Sequence, residues 1–96
     1  MNARIERTDG GAVIHGDMTL ENASMLLAEG VGAVKQGTTH FDLSGVGAID
    51  SSGLAVLFGW LRAAQAENRT VTIATPPSTL KSLAEVYGVA DLLPLS

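Results

Sequence analysis

The stretch from Asp50 to about Asn68 constrains the fold more than any other part of the chain. It opens with Asp50-Ser51-Ser52-Gly53, and the side-chain oxygens there suit the orphan amides of a first helical turn. A strongly apolar run, Leu54 to Leu61, follows. Leu54, Leu57, Phe58, Leu61 and Ala64 recur at steps of three and four, which predicts a helix with one continuous core stripe. Val56, Trp60 and Ala63 fall on another face at similar steps. A helix apolar on two faces needs cover on two sides. The second cover is either another packing surface within the domain or a separate protein. The run is far shorter than the roughly 20 residues that cross a bilayer.

The rest of the chain alternates strand and helix signals. Arg4 to Thr8 reads as an edge strand, Asp9-Gly10-Gly11 as a turn and Ala12 to His15 as the second arm of a hairpin. Asp17-Met18-Thr19 offers N-cap oxygens, and Leu20, Ala23, Leu27, Val31 and Val34 fit one helical face. Gly30 and Gly32 each cost that helix about 1 kcal/mol relative to alanine, which predicts an irregular or mobile second half. Gly37 is its stop signal. Phe41 to Ser44 is a short strand, followed by a glycine-bearing bend through Val46, Ala48 and Ile49. Thr70 to Ala74 alternates and is β-branched, a strand pattern. After Pro76-Pro77, Ser78 is placed to cap a third helix carrying Leu80, Leu83, Ala84 and Tyr87, with the Tyr87 ring expected on the core and Gly88 as terminator. Lys81 and Glu85 stand at i and i+4 as a solvated pair. The tail Val89 to Leu95 is expected to pack back on the domain. The order ββαβαβα predicts an α/β domain over residues 1–96: a mixed sheet of about four to five strands with helices packed beside it.

Several functions are disfavoured by composition. Of 96 residues 46% are hydrophobic, too many for disorder, and no cysteine is available for a disulfide, a thiolate nucleophile or a thiolate metal site. Net charge is −4 with six scattered cations, so no basic stripe exists to meet nucleic acid. The N-terminal MNARIERTDGG lacks the apolar core of a secretory signal, which predicts a cytoplasmic protein touching a membrane only through a partner. His15 and His40 lack the companions of a metal site. No glycine-rich phosphate loop or nucleophile–base pair is visible, and Asp42 lacks an acid–base partner, so no enzyme activity and no cofactor are expected.

The Asp50-Ser51-Ser52-Gly53 corner has two physical readings. It is a helix cap, or it displays a hydroxyl at a helix N-terminus, where a phosphate would add charge and switch a docking face. On the second reading Ser51, Val56 and Trp60 share one exposed surface with Asp50, Ser52 and Gly53. Trp60→Glu would then abolish partner binding and leave the domain folded.

Phe41-Asp42-Leu43-Ser44, Val46, the Ile49-Asp50-Ser51-Ser52-Gly53-Leu54 turn and the apolar helix after it resemble a STAS domain, the module of anti-anti-sigma factors and sulfate-transporter tails. Asn68-Arg69-Thr70-Val71-Thr72-Ile73, the Leu80 to Val89 segment and Leu92-Leu93-Pro94 look like the stand-alone, MlaB-type STAS subunit of bacterial Mla phospholipid-transport ABC complexes. That resemblance implies a cytoplasmic protein, held at the inner membrane by docking on the transporter's ATPase and supporting assembly, activity and outer-membrane lipid asymmetry. It makes Ser51 the counterpart of the hydroxyl residue, often Thr, at the ATPase interface. The alternative is an anti-anti-sigma factor that binds an anti-sigma kinase and is controlled by phosphorylation at Ser51. Ser52 after Ser51 departs toward that second pattern.

Overall fold

The computed structural model describes residues 2–95, leaving the outermost residues of the expected domain, Met1 and Ser96, outside the described residues. The strands are β1 (Arg4–Thr8), β2 (Gly11–Met18), β3 (His40–Ile49) and β4 (Thr72–Ala74), and the helices are α1 (Ala23–Lys35), α2 (Ser51–Ala66) and α3 (Ser78–Val86). Short 3-10 turns cover Leu20–Asn22 and Ala90–Leu92. The sheet order is β1-β2-β3-β4. β1 pairs antiparallel with β2 through the expected hairpin, while β2, β3 and β4 run parallel.

Register explains which face is apolar. Ala12 lies opposite Phe41, and Phe41 opposite Ile73, so these side chains share a face. Val13, Asp42 and Ala74 are the matching row on the other face. Ala12, Ile14, Phe41, Leu43 and Ile73 are buried, together with Leu26, Ala33 and Val34 of α1, Leu54, Leu57 and Ala64 of α2, and Leu80 and Ala84 of α3. β3 continues as a strand where the sequence predicts a bend. Shifts in the β2–β3 register, one of them between Gly16 and Met18, absorb the irregularity without ending the pairing.

The most consequential correction concerns Trp60 and Val56. The partner-docking reading places both on an exposed face; they are 1% and 4% exposed. The Trp60 ring stacks on Phe41 with centroids 4.5 Å apart and planes 18° from parallel. Its indole Nε1 donates to the Leu26 carbonyl of α1 at 3.0 Å. The second apolar face of α2 is therefore covered from within the chain, by α1.

α1 itself is turned differently from the expectation. Its buried residues are Leu26, Gly30, Ala33 and Val34, while Leu20 and Leu27 are exposed. The helix runs through Gly30 and Gly32 without a break. Gly30 is a contact residue: a Cβ there would fall 1.9 Å from Trp60 Nε1. The glycine thus lets the α1 backbone approach the indole, a role invisible to a propensity count.

All three helices end in a left-handed residue with paired reverse hydrogen bonds. At α1, Gly37 (φ +109) donates to Val34 and Thr38 to Ala33, both at 3.0 Å. Asn68 (φ 56) does the same for α2 and Gly88 (φ 70) for α3. The N-cap of α3 is Pro77, not Ser78, which is the first helical residue. The tail returns to the sheet as expected: Ile73 donates to the Pro94 carbonyl at 3.0 Å, and Leu95 bridges Ile73 in parallel.

Candidate functional site

The corner before α2 is built by one carboxylate. Asp50 Oδ1 accepts from the amides of Ser52 at 2.9 Å and Gly53 at 3.2 Å. Its Oδ2 accepts from the Leu20 amide at 3.3 Å. Asp50 therefore caps α2 and also ties it to the segment entering α1, while its own amide reaches the Met18 carbonyl at 3.3 Å. Gly53 is buried at this junction, where a Cβ would lie 2.3 Å from the Met18 carbonyl oxygen. Asp50 and Gly53 are thus structural parts of the corner. Asp50→Ala removes the cap and the tie together, and we expect a loss of about 1–2 kcal/mol in urea unfolding with an unchanged m-value.

Ser51, the first residue of α2, is exposed, and its hydroxyl has no hydrogen-bond partner among the described residues. It stands where two shallow hollows meet. One is walled by Ile49, Thr79, Leu83, Val86 and Tyr87, the other by Leu54, Ala55, Phe58, Tyr87 and Val89. Ser52 is half-buried and lines a third hollow on the opposite side of the α2 N-terminus, with Leu27 and Ala55. Of the expected surface group, the structure thus keeps Ser51 exposed, places Ser52 at a second rim, and removes Val56 and Trp60 to the interior.

Their place beside Ser51 is taken by Val86 of α3 and Tyr87 at its C-cap. Tyr87, expected on the core, is 57% exposed, and Val86 is 81% exposed. α3 buries Leu80 and Ala84 alone, so an apolar residue off that i, i+4 stripe was the available signal for Val86. Across the corner, exposed Leu20 and Leu27 extend the apolar surface. The result is an exposed hydroxyl at a helix N-terminus, flanked by apolar side chains from α3 and from α1 with its approach. Such a corner suits protein contact through apolar area and can register an added charge.

Asp42 lies apart from this corner. Its Oδ1 accepts from the Ser44 amide at 2.8 Å, and that bond, joined by the Ser44 hydroxyl, holds its carboxyl below the usual aspartate range. Glu6 on β1 is held low chiefly by its bond to His15, Oε1 to Nε2 at 3.0 Å. His40 Nδ1 is 2.6 Å from the Thr72 hydroxyl. Among the described residues, no group of three His, Cys, Asp or Glu side chains could hold a metal, and no helix is long and apolar enough to cross a membrane.

The mixed four-stranded sheet with three helices is that of a STAS domain. Within that class the chain belongs to the family described as "Mlab, STAS domain", which residues 1–94 match. The intermembrane phospholipid transport system binding protein MlaB of Haemophilus influenzae is 41% identical to this chain over 52 residues, 54% of this chain and 50% of that protein. The match thus spans about half the length of that curated relative. An anti-sigma factor antagonist from Mycobacterium paratuberculosis superposes with a TM-score of 0.75 at 19% identity, covering 98% of this chain and 83% of its own. The phosphorylated Bacillus cell fate determinant SpoIIAA superposes with a TM-score of 0.68 at 20% identity, covering 99% and 91%. At those identities the likeness is one of fold.

Proposed function

We propose that this chain is the STAS subunit of an Mla-type ABC phospholipid transporter and binds the transporter's ATPase through the corner around Ser51. The observation that supports the reading most is the 41% identity to MlaB. The exposed hydroxyl between apolar rims supplies a surface of the right character. Ser51 stands at the contact, Tyr87 and Val86 give apolar area on one side, and Leu20 and Leu27 give it on the other. The chain performs no reaction and needs no cofactor in this role. Docking that favours the competent ATPase conformation shifts its population toward activity. The protein stays in the cytoplasm and reaches the inner membrane through the complex.

The test is co-purification of the tagged chain with the ATPase and permease of the same cell, with affinity measured on the purified pair. Tyr87→Asp and Ser51→Glu change exposed residues, so both variants keep the wild-type circular dichroism spectrum and melting temperature. Tyr87→Asp weakens binding by about 30-fold or more, as expected for an aromatic contact anchor. Binding that is indifferent to both substitutions overturns the placement of the interface.

A second reading is an anti-anti-sigma factor controlled by phosphorylation. It is favoured by the exposed Ser51 hydroxyl, and the fold is shared with anti-sigma factor antagonists. Recovery of a sigma-regulating kinase without a transporter ATPase, together with phosphate on Ser51, selects it.

A further inference from the structure

The two edges of the sheet are finished differently. At β4 the returning tail closes the edge, where Ile73 donates to the Pro94 carbonyl and Leu95 bridges Ile73. At β1 nothing does so among the described residues, and its strand partner is β2 alone. The register fixes which groups are left open. Asp9-Gly10 is a two-residue turn between Thr8 and Gly11, so Thr8, Glu6 and Arg4 are the residues that exchange hydrogen bonds with β2. The amides and carbonyls of Ile5 and Arg7 therefore point away from the sheet, as a template for a further strand.

The side chains along this edge decide which strand fits. Arg4 and Glu6 lie on the face opposite the helices, in the row of His15 and Val13, and both are exposed. Glu6 Oε1 is 3.0 Å from His15 Nε2, which holds the carboxylate on that outer face. Ile5 lies on the helix face, opposite the buried Ile14. Charge commonly protects a sheet edge from pairing. Here the charges alternate in sign, so the edge is complementary to itself. In an antiparallel pairing centred on Ile5, Ile5 meets Ile5 of a second copy through two backbone bonds, and Arg4 stands opposite Glu6 on both sides of the axis. Sliding the second strand by two residues sets Glu6 against Glu6 or Arg4 against Arg4, so charge selects the centred register. The helix layer allows it as well. α1 packs over both β1 and β2, so two such helices stand about 10 Å apart across the joint, the ordinary distance for packed helices.

We propose that a second copy of this chain pairs here, β1 to β1 about a two-fold axis at Ile5, joining two four-stranded sheets into one. No residue of β1 lines the hollows beside Ser51, so the inference stands apart from the ATPase reading and is tested on the isolated chain. Sedimentation equilibrium from micromolar to millimolar concentration is expected to show reversible monomer–dimer association, with the affinity falling as salt is added. Over the same range, NMR-detected hydrogen exchange slows at the Ile5 and Arg7 amides, and the Ser51 and Tyr87 resonances stay in place.

Arg4→Glu and Glu6→Arg each set like charges opposite one another at both crossings and weaken association by about tenfold or more. Combined in one chain, the two substitutions restore opposite signs and return the affinity to within about threefold of the original. Both positions are exposed, so all three variants keep the wild-type circular dichroism spectrum. A chain that stays monomeric at millimolar concentration overturns the proposal and leaves this edge to a strand of another protein. A dimer whose shifts centre on Ser51 and Tyr87, single reversals that leave the affinity unchanged, or a combined variant as weak as the single ones also overturns it.

Discussion

Trp60→Glu is expected to leave the chain unfolded at 25 °C, with collapsed NMR dispersion and no cooperative melting transition. The indole is sealed between Phe41 and α1, so the substitution removes a core ring and puts a carboxylate in its place. Truncating a buried Trp costs about 3–5 kcal/mol. An unpaired buried charge adds several more. The sum reaches the whole stability of a typical domain, about 5–15 kcal/mol. Trp60→Phe separates the contributions: the ring stack on Phe41 survives, the bond to Leu26 is lost, and the cost falls to about 1–3 kcal/mol. A folded Trp60→Glu protein that merely loses its partner would restore Trp60 to the surface and contradict the packing described here.

Gly30→Ala and Gly32→Ala should move stability in opposite directions, although both replace a glycine in the same helix. Helix propensity alone makes each favourable by about 1 kcal/mol. At Gly32 nothing lies within 4 Å of the added carbon, so the gain stands. At Gly30 the new methyl would lie 1.9 Å from Trp60 Nε1 and 2.1 Å from Cε2. The indole cannot yield, because Phe41 backs it and its N–H is committed to Leu26. Overpacking of this kind costs about 1–3 kcal/mol or more, which outweighs the propensity gain. Paired urea titrations give the sign of each effect directly. Two stabilised variants would mean that α1 stands farther from α2 than described.

These two positions also show where sequence reading succeeds and fails. The order of strands and helices was legible because each element carries its own periodicity, and Gly37 and Gly88 end their helices where the pattern said they would. The identity of a face was less legible. Glycine has no hydropathy to mark it as a contact, so the apolar pattern phases α1 on Leu20 and Leu27, whereas its buried row runs through Leu26, Gly30 and Ala33. Without that row the Trp60 side of α2 reads as a face that either the domain or a partner could cover, and α1 is what covers it. Tyr87 differs for a related reason: the pattern counts an aromatic at a helix terminus as core, whereas Tyr87 is the C-cap residue itself and is exposed beside Val86. In the candidate site, Asp50 and Ser51 were legible because capping chemistry is local. The apolar rims were not, since they are assembled from α1 with its approach and from α3, distant in the chain.

The double grip of Asp50 on α2 and on Leu20 has a consequence for any visitor to this corner. The loop that presents Ser51 is already frozen in shape, with Gly53 wedged on the Met18 carbonyl behind it. Ordering entropy on association is then borne mainly by the other molecule, and the complex gains from a rigid template. A new charge on the serine would alter what that template attracts without reshaping it.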